Sequence, residues 1–103
     1  MKEYKLIIAD DVDFDIEEAI ERKEEYGAYQ STIDELLEEI NSCYKRLETS
    51  PNSGSNLSAR VSRPTKIKYF LVQDYVMLYE ITGEDEVTAY RFLSTKRDWI
   101  NMI

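Results

Sequence analysis

Five cations in the C-terminal half of the chain are candidates to act together. They are Lys66, Lys68, Arg91, Lys96 and Arg97, the last two leading into Asp98 and Trp99 within "VTAYRFLSTKRDWI" (Val87–Ile100). Cleaving RNA through its own 2′-hydroxyl needs a base for that proton, an acid for the leaving oxygen and cations for the phosphate. Histidine does this near neutral pH with least adjustment, and the chain has none. Lys66, Lys68 or Lys96 would then have to be the base, with Arg91 and Arg97 clamping the phosphate, although an unperturbed lysine titrates at about 10.4. Protein contact makes lighter demands. Arg and Trp are enriched at interface hot spots, so Trp99 could anchor while Lys96 and Arg97 orient. The plainer alternative has Trp99 packed on the end of a sheet, Lys96 and Arg97 solvated, and Asp98 paired with a neighbour.

Arg91 poses a sharper problem. It shares strand parity with Val87, Ala89 and Leu93, so simple alternation aims it at an apolar face, where a guanidinium needs a partner. A helix carboxylate would make it scaffold; an open rim would make it functional.

These cations belong to an acidic protein, with 13 Lys plus Arg against 21 Asp plus Glu and a formal charge of −8. The charge is uneven: residues 1–50 hold fifteen acids and six bases, residues 51–103 six acids and seven bases. The net charge argues against nonspecific polyanion binding and against direct sequence-specific nucleic-acid recognition. The C-terminal half can still present a local positive patch. The acidic run "DDVDFDIEEAIERKEE" reads as a solvated helix face rather than a metal site or nucleic-acid mimic, because it lacks the Gly-bearing loop of a calcium site. A single cysteine, Cys43, makes no internal disulfide, and without histidine the usual zinc sets are excluded. No metal or cofactor is expected. No apolar run reaches the roughly 18 residues needed to span a bilayer, and "MKEYKLIIADD" meets acid too early for a signal peptide, so a cytoplasmic protein is expected.

The elements that must position these side chains follow from periodicity. At 103 residues the chain is one domain (1–103) by length. "YKLIIAD" (Tyr4–Asp10) reads as a strand. Asp11, Asp13 or Asp15 can each cap the helix that follows, expected over about residues 13–26 and ended by Gly27. A second helix begins near Tyr29–Thr32, where Thr32 and Glu35 have capping-box spacing. Its apolar stripe is Ile33, Leu36, Leu37, Ile40, Tyr44 and Leu47. "ETSPNSGSNLS" is a loop. "TKIKYFLV", "YVMLYEIT" and "VTAYRFLS" are strands separated by hairpin turns at "QD" and "GEDE". Tyr75, Met77, Tyr79 and Ile81 share one face as packing. The fold class is α+β, in the order β-α-α-β-β-β, with the helical hairpin on one face of the sheet.

The segment "KYFLVQDYVMLYEITGEDEVTAYRFLSTKRDW" resembles the C-terminal half of the RelE/ParE toxin family of type II toxin–antitoxin systems. The shared features are Lys68-Tyr69, a strand with Tyr75 and Tyr79, Arg91 on the last strand, and the tail Lys96-Arg97-Asp98. The element order is also the family's, and "LETSPNSG" is similar to its helix-to-sheet connection. Two positions depart from the family's ribosome-dependent RNases: Ser94 stands where a histidine often precedes the basic tail, and Lys96 where arginine is frequent. The resemblance therefore implies the ParE-like branch, which acts by gripping DNA gyrase rather than by bond cleavage. It implies a small antitoxin as partner and contacts at Arg91, Lys96, Arg97, Asp98 and Trp99. The alternatives it leaves are a ribosome-dependent mRNA endoribonuclease of the same fold, and a degenerate member that keeps only antitoxin binding.

Overall fold

A parallel pair opens the sheet. In the computed structural model, which describes residues 3–61 and 64–102, β1 (Lys5–Ile8) runs alongside the last strand, with Leu6 opposite Val87 and Ile8 opposite Ala89. The chain turns directly from β1 into α1 (Asp10–Glu25), three residues before the expected start. No aspartate caps this helix: its N-cap is Ala9, whose N–H is taken by the Ala89 carbonyl at 3.0 Å. The handover is thus set by β1 pairing, and fully buried Val12 requires helix from the outset. Asp10, Asp11 and Asp13 still lie in the first turn, where negative charge suits the helix dipole.

Gly27 ends α1 as expected. Its φ of +75° is costly for a residue with a Cβ, and the Gly27 and Ala28 N–H groups donate back to Glu24 and Lys23. α2 (Gln30–Thr49) follows antiparallel to α1, and its N-cap is Tyr29 without a side-chain cap, so the Thr32/Glu35 box is not formed. The stripe is buried at Ile33, Leu36, Ile40, Cys43 and Leu47, a strict three–four alternation. Leu37 lies exposed on its flank and Cys43 takes the inward place.

The expected loop contains a further strand. Two 3₁₀ turns (Pro51–Ser53 and Leu57–Ala59) flank β2 (Ser55–Asn56), which pairs with β3 (Lys68–Val72). The Tyr79 hydroxyl fastens this segment by donating to the Pro51 carbonyl at 2.6 Å, and it lies so close to Gly54 that a Cβ there has no room. β3, β4 (Tyr75–Gly83) and β5 (Glu86–Ser94) form the expected antiparallel meander, and the sheet order is β1-β5-β4-β3-β2.

The two sheet faces are covered differently. Both helices pack on the face carrying Phe70, Val72, Met77, Tyr79, Val87, Ala89 and Phe92. The other face carries Tyr69, Val76, Leu78 and Leu93 and is covered by Leu57 and Trp99. Among the described residues no helix is long and apolar enough to cross a membrane.

A register shift in β4–β5 sets where the last strand points. Tyr79 pairs with Ala89 but its neighbour Leu78 pairs with Arg91, leaving Tyr90 as an extra residue in β5. Before the bulge Val87 and Ala89 face the helices; after it Phe92 does, while Leu93 faces the opposite layer. The parity argument that grouped Arg91 with Val87, Ala89 and Leu93 is therefore corrected: the bulge breaks the alternation, and Arg91 is in register with Leu78 on the second face.

Candidate functional site

β1 stops opposite Ala89, so the backbone of β5 beyond that point lacks a strand on this side. Asp15 of α1 stands in for one. Its Oδ2 accepts from the Phe92 N–H at 2.9 Å and from Arg91 Nε at 2.8 Å, and its Oδ1 accepts from Arg91 Nη2 at 3.0 Å. A bidentate guanidinium–carboxylate pair with a third bond to backbone is a strong arrangement, and Asp15 is only 11% exposed. The hydrogen bonds that Arg91 donates to Asp15 are the chief reason that the Arg91 pKa is raised further above its ordinary value. The demand for a partner, read from sequence, is met by a helix carboxylate, and Arg91 is a latch between α1 and the end of β5.

The tail turns sharply after β5. Thr95 donates through both its N–H and its hydroxyl to the Asp74 carbonyl in the β3–β4 turn, at 2.8 and 2.9 Å. Ser94 Oγ accepts from the Lys96 N–H at 3.2 Å, so this serine shapes the turn. The Lys96 ammonium lies 3.6 Å from Asp74 Oδ2, with both groups largely in solvent. Asp98 is exposed and accepts from the Asn101 amide at 2.6 Å. Trp99 is not the exposed anchor that the tail suggested. It is 7% exposed and meets Tyr69 edge to face at 5.4 Å within the second core, because the tail folds back over the sheet.

Between α1 and this turned tail runs a groove of about 740 Å³. Arg91, Lys96 and Arg97 line it together with Arg22 and Lys23 of α1, and its carboxylates are Asp15, Glu18, Glu25 and Asp74. Tyr75 contributes its ring, stacked on buried Phe92 at 4.8 Å, and burial pushes its phenol pKa up. Glu18 Oε1 accepts from Arg22 Nη2 at 2.6 Å and from Arg97 Nη1 at 3.5 Å. The cationic ledge expected from sequence is thus interleaved with acid from α1. Asp15, Glu18, Arg22 and Lys23 had been read as part of a solvated helix face. Positions 15, 18 and 22 share one side of the helix at three–four spacing, and only the demand of Arg91 for a partner points there.

Lys66 and Lys68 are elsewhere. Lys68 pairs with Tyr79 at the far end of β3 from the Gln73–Asp74 turn, and its ammonium donates to Asn56 at 2.8 Å. At about 3.3 Å per residue that end lies roughly 17 Å along the strand from the tail. Lys66 is exposed just before β3. The five cations proposed for phosphodiester cleavage therefore divide into a group of three and a separate pair. Cys43 is buried in the main core, where burial pushes its thiol up to about 11 against the opposing effect of Arg46.

Residues 6–99 match a family described as the ParE toxin of the type II toxin–antitoxin system, parDE. A solved structure described as "Chromosomal ParDE TA system from P. aeruginosa" superposes with a TM-score of 0.70 at 12% sequence identity, covering 88% of this chain and 95% of the other. No curated protein gives a significant match.

Proposed function

Because the chain belongs to the ParE toxin family of type II toxin–antitoxin systems, we propose that it inhibits a protein target such as DNA gyrase by binding, and that a small antitoxin neutralises it. The supporting observation is the groove, where Arg91, Lys96 and Arg97 meet α1 on a rigid sheet end. It offers Arg-rich contact chemistry beside an aromatic surface, which suits a protein partner. Arg91 supports this surface as the α1–β5 latch, Trp99 supports it from beneath, and Lys96 and Arg97 make the contact. Asp98 orders the end of the tail through Asn101.

Cleavage of mRNA in the ribosome is the competing activity. It would need Lys66 or Lys68 to act from the other end of β3, or Lys96 to serve as base from a largely solvated position 3.6 Å from Asp74. Inducing the chain in cells while following plasmid supercoiling and a reporter mRNA separates the two. Gyrase inhibition predicts growth arrest with altered supercoiling and an intact reporter; fragmentation of the reporter would replace this reading with the nuclease. The double variant Lys96→Ala, Arg97→Ala should abolish arrest while keeping the circular dichroism of the native fold, since both side chains are exposed. Undiminished arrest would remove the tail from the mechanism. Co-expression of an adjacent small reading frame should restore growth if its product is the antitoxin.

A further inference from the structure

The two α1 carboxylates that reach the tail are held very differently. Asp15 makes three bonds, one of them to backbone, and is nearly buried. Glu18 is 52% exposed and offers one oxygen to two guanidiniums that are themselves 46% and 45% exposed. The 2.6 Å bond to Arg22 is an ordinary pair one helical turn away. The 3.5 Å contact to Arg97 is at the limit of hydrogen bonding. Arg22 and Arg97 come from different elements, yet both are within reach of a single oxygen atom. That juxtaposition makes a carboxylate-sized anion site, filled by an internal carboxylate that it holds weakly.

We propose that Arg22 and Arg97 form the binding site for an acidic side chain of a protein partner, and that Glu18 occupies this site as an internal competitor until the partner displaces it. The inference rests on the reading that the groove is the partner-binding surface, and it names the chemistry of the partner. The docking segment carries a glutamate or aspartate for the two guanidiniums and an apolar side chain beside it for the half-buried Tyr75 ring, which also lines the groove. The exchange is inexpensive because exposed ion pairs contribute little to stability. A bidentate contact from a segment that excludes water strengthens the same hydrogen bonds. The −8 body opposes an acidic partner at long range. At physiological ionic strength that opposition is screened beyond about 8 Å, so the local pair of guanidiniums decides the contact. Glu18 also discriminates: a neutral or singly hydrogen-bonding ligand has nothing with which to replace it.

The test titrates the purified full chain with a capped amphipathic peptide carrying two glutamates beside a phenylalanine, with its glutamine counterpart, and with a single-stranded RNA oligonucleotide. Binding is read from the NMR signals of the Arg22 and Arg97 Nε–H groups. The glutamate peptide should shift both signals, Glu18→Gln should tighten it roughly two- to fivefold, and Arg97→Gln should abolish the response. Absence of peptide binding to either protein, an affinity unchanged or weakened by Glu18→Gln, equal binding of the glutamine peptide, or preferential capture of the RNA at the same signals would each overturn the proposal. The titration needs no toxicity, so its failure is separable from failure of the growth-arrest experiment.

Discussion

The two faces of the sheet solve the same problem by different means. On one, two long helices lay a regular apolar stripe over Met77, Tyr79 and Phe92, so burial is shared among many side chains. On the other, no α-helix among the described residues covers Val76, Leu78 and Leu93; a short 3₁₀ turn at Leu57 and the folded-back tail at Trp99 do so. The first arrangement makes stability a collective property. The second concentrates it in a few side chains, one of which also positions the candidate contact residues.

The contrast can be broken first on the helical face. Leu47 is fully buried, and Leu47→Ala should cost about 3 kcal/mol, seen as a lowered urea midpoint for the whole transition. An unchanged midpoint would mean that α2 is not part of the cooperative core. Trp99→Ala should act more locally, costing about 1–2 kcal/mol because the tail can open without the sheet. Its signature is faster amide exchange at Thr95 and Arg97 together with loss of growth arrest. If global stability falls as far as for Leu47→Ala, the two faces form one unit and the distinction fails.

The smallest effect appears at high pH. Burial raises the phenol of Tyr79 to about 12 from the ordinary 10, even though the Gly54 backbone acts against that shift, and raises Tyr44 to about 12 as well. A folded-state pKa above the unfolded one means that the native chain holds its proton longer. The stabilisation is complete below pH 10 and is lost as pH rises through 12. Unfolding free energy measured from pH 9 to 12 should fall, and Tyr79→Phe should flatten part of the slope. A slope identical in that variant would assign the titration to other groups.

What could be read ahead of the coordinates follows the same division. Helix α2 was legible because burial on a broad apolar layer imposes a period on many residues, and the meander because each strand alternates over most of its length. Gly27 was legible because few residues tolerate its backbone angle. β2 was not, since two residues have no period and what fastens that segment is the hydroxyl of Tyr79, more than twenty positions away. For the site, Lys96 and Arg97 were visible as neighbours in the chain. The identity of the carboxylate that meets Arg91 was not, because α1 offers acid at almost every exposed position and only the end of β1 selects Asp15. Of the two readings of Trp99, anchor or packing on the sheet end, the structure has the packing, and the sequence could not select it because nothing in its neighbours reveals that the tail reverses direction.

The extra residue at Tyr90 means that length, as much as identity, is under constraint in the final ribbon. Removing one residue there would leave the composition of the strand nearly intact while turning its last four side chains over, exchanging the Arg91 and Leu93 side with the Phe92 side. The arginine would then lie beneath the helical layer and the phenylalanine would press into the layer that Leu57 and Trp99 already fill, so an indel at this point is a harsher event than most substitutions around it.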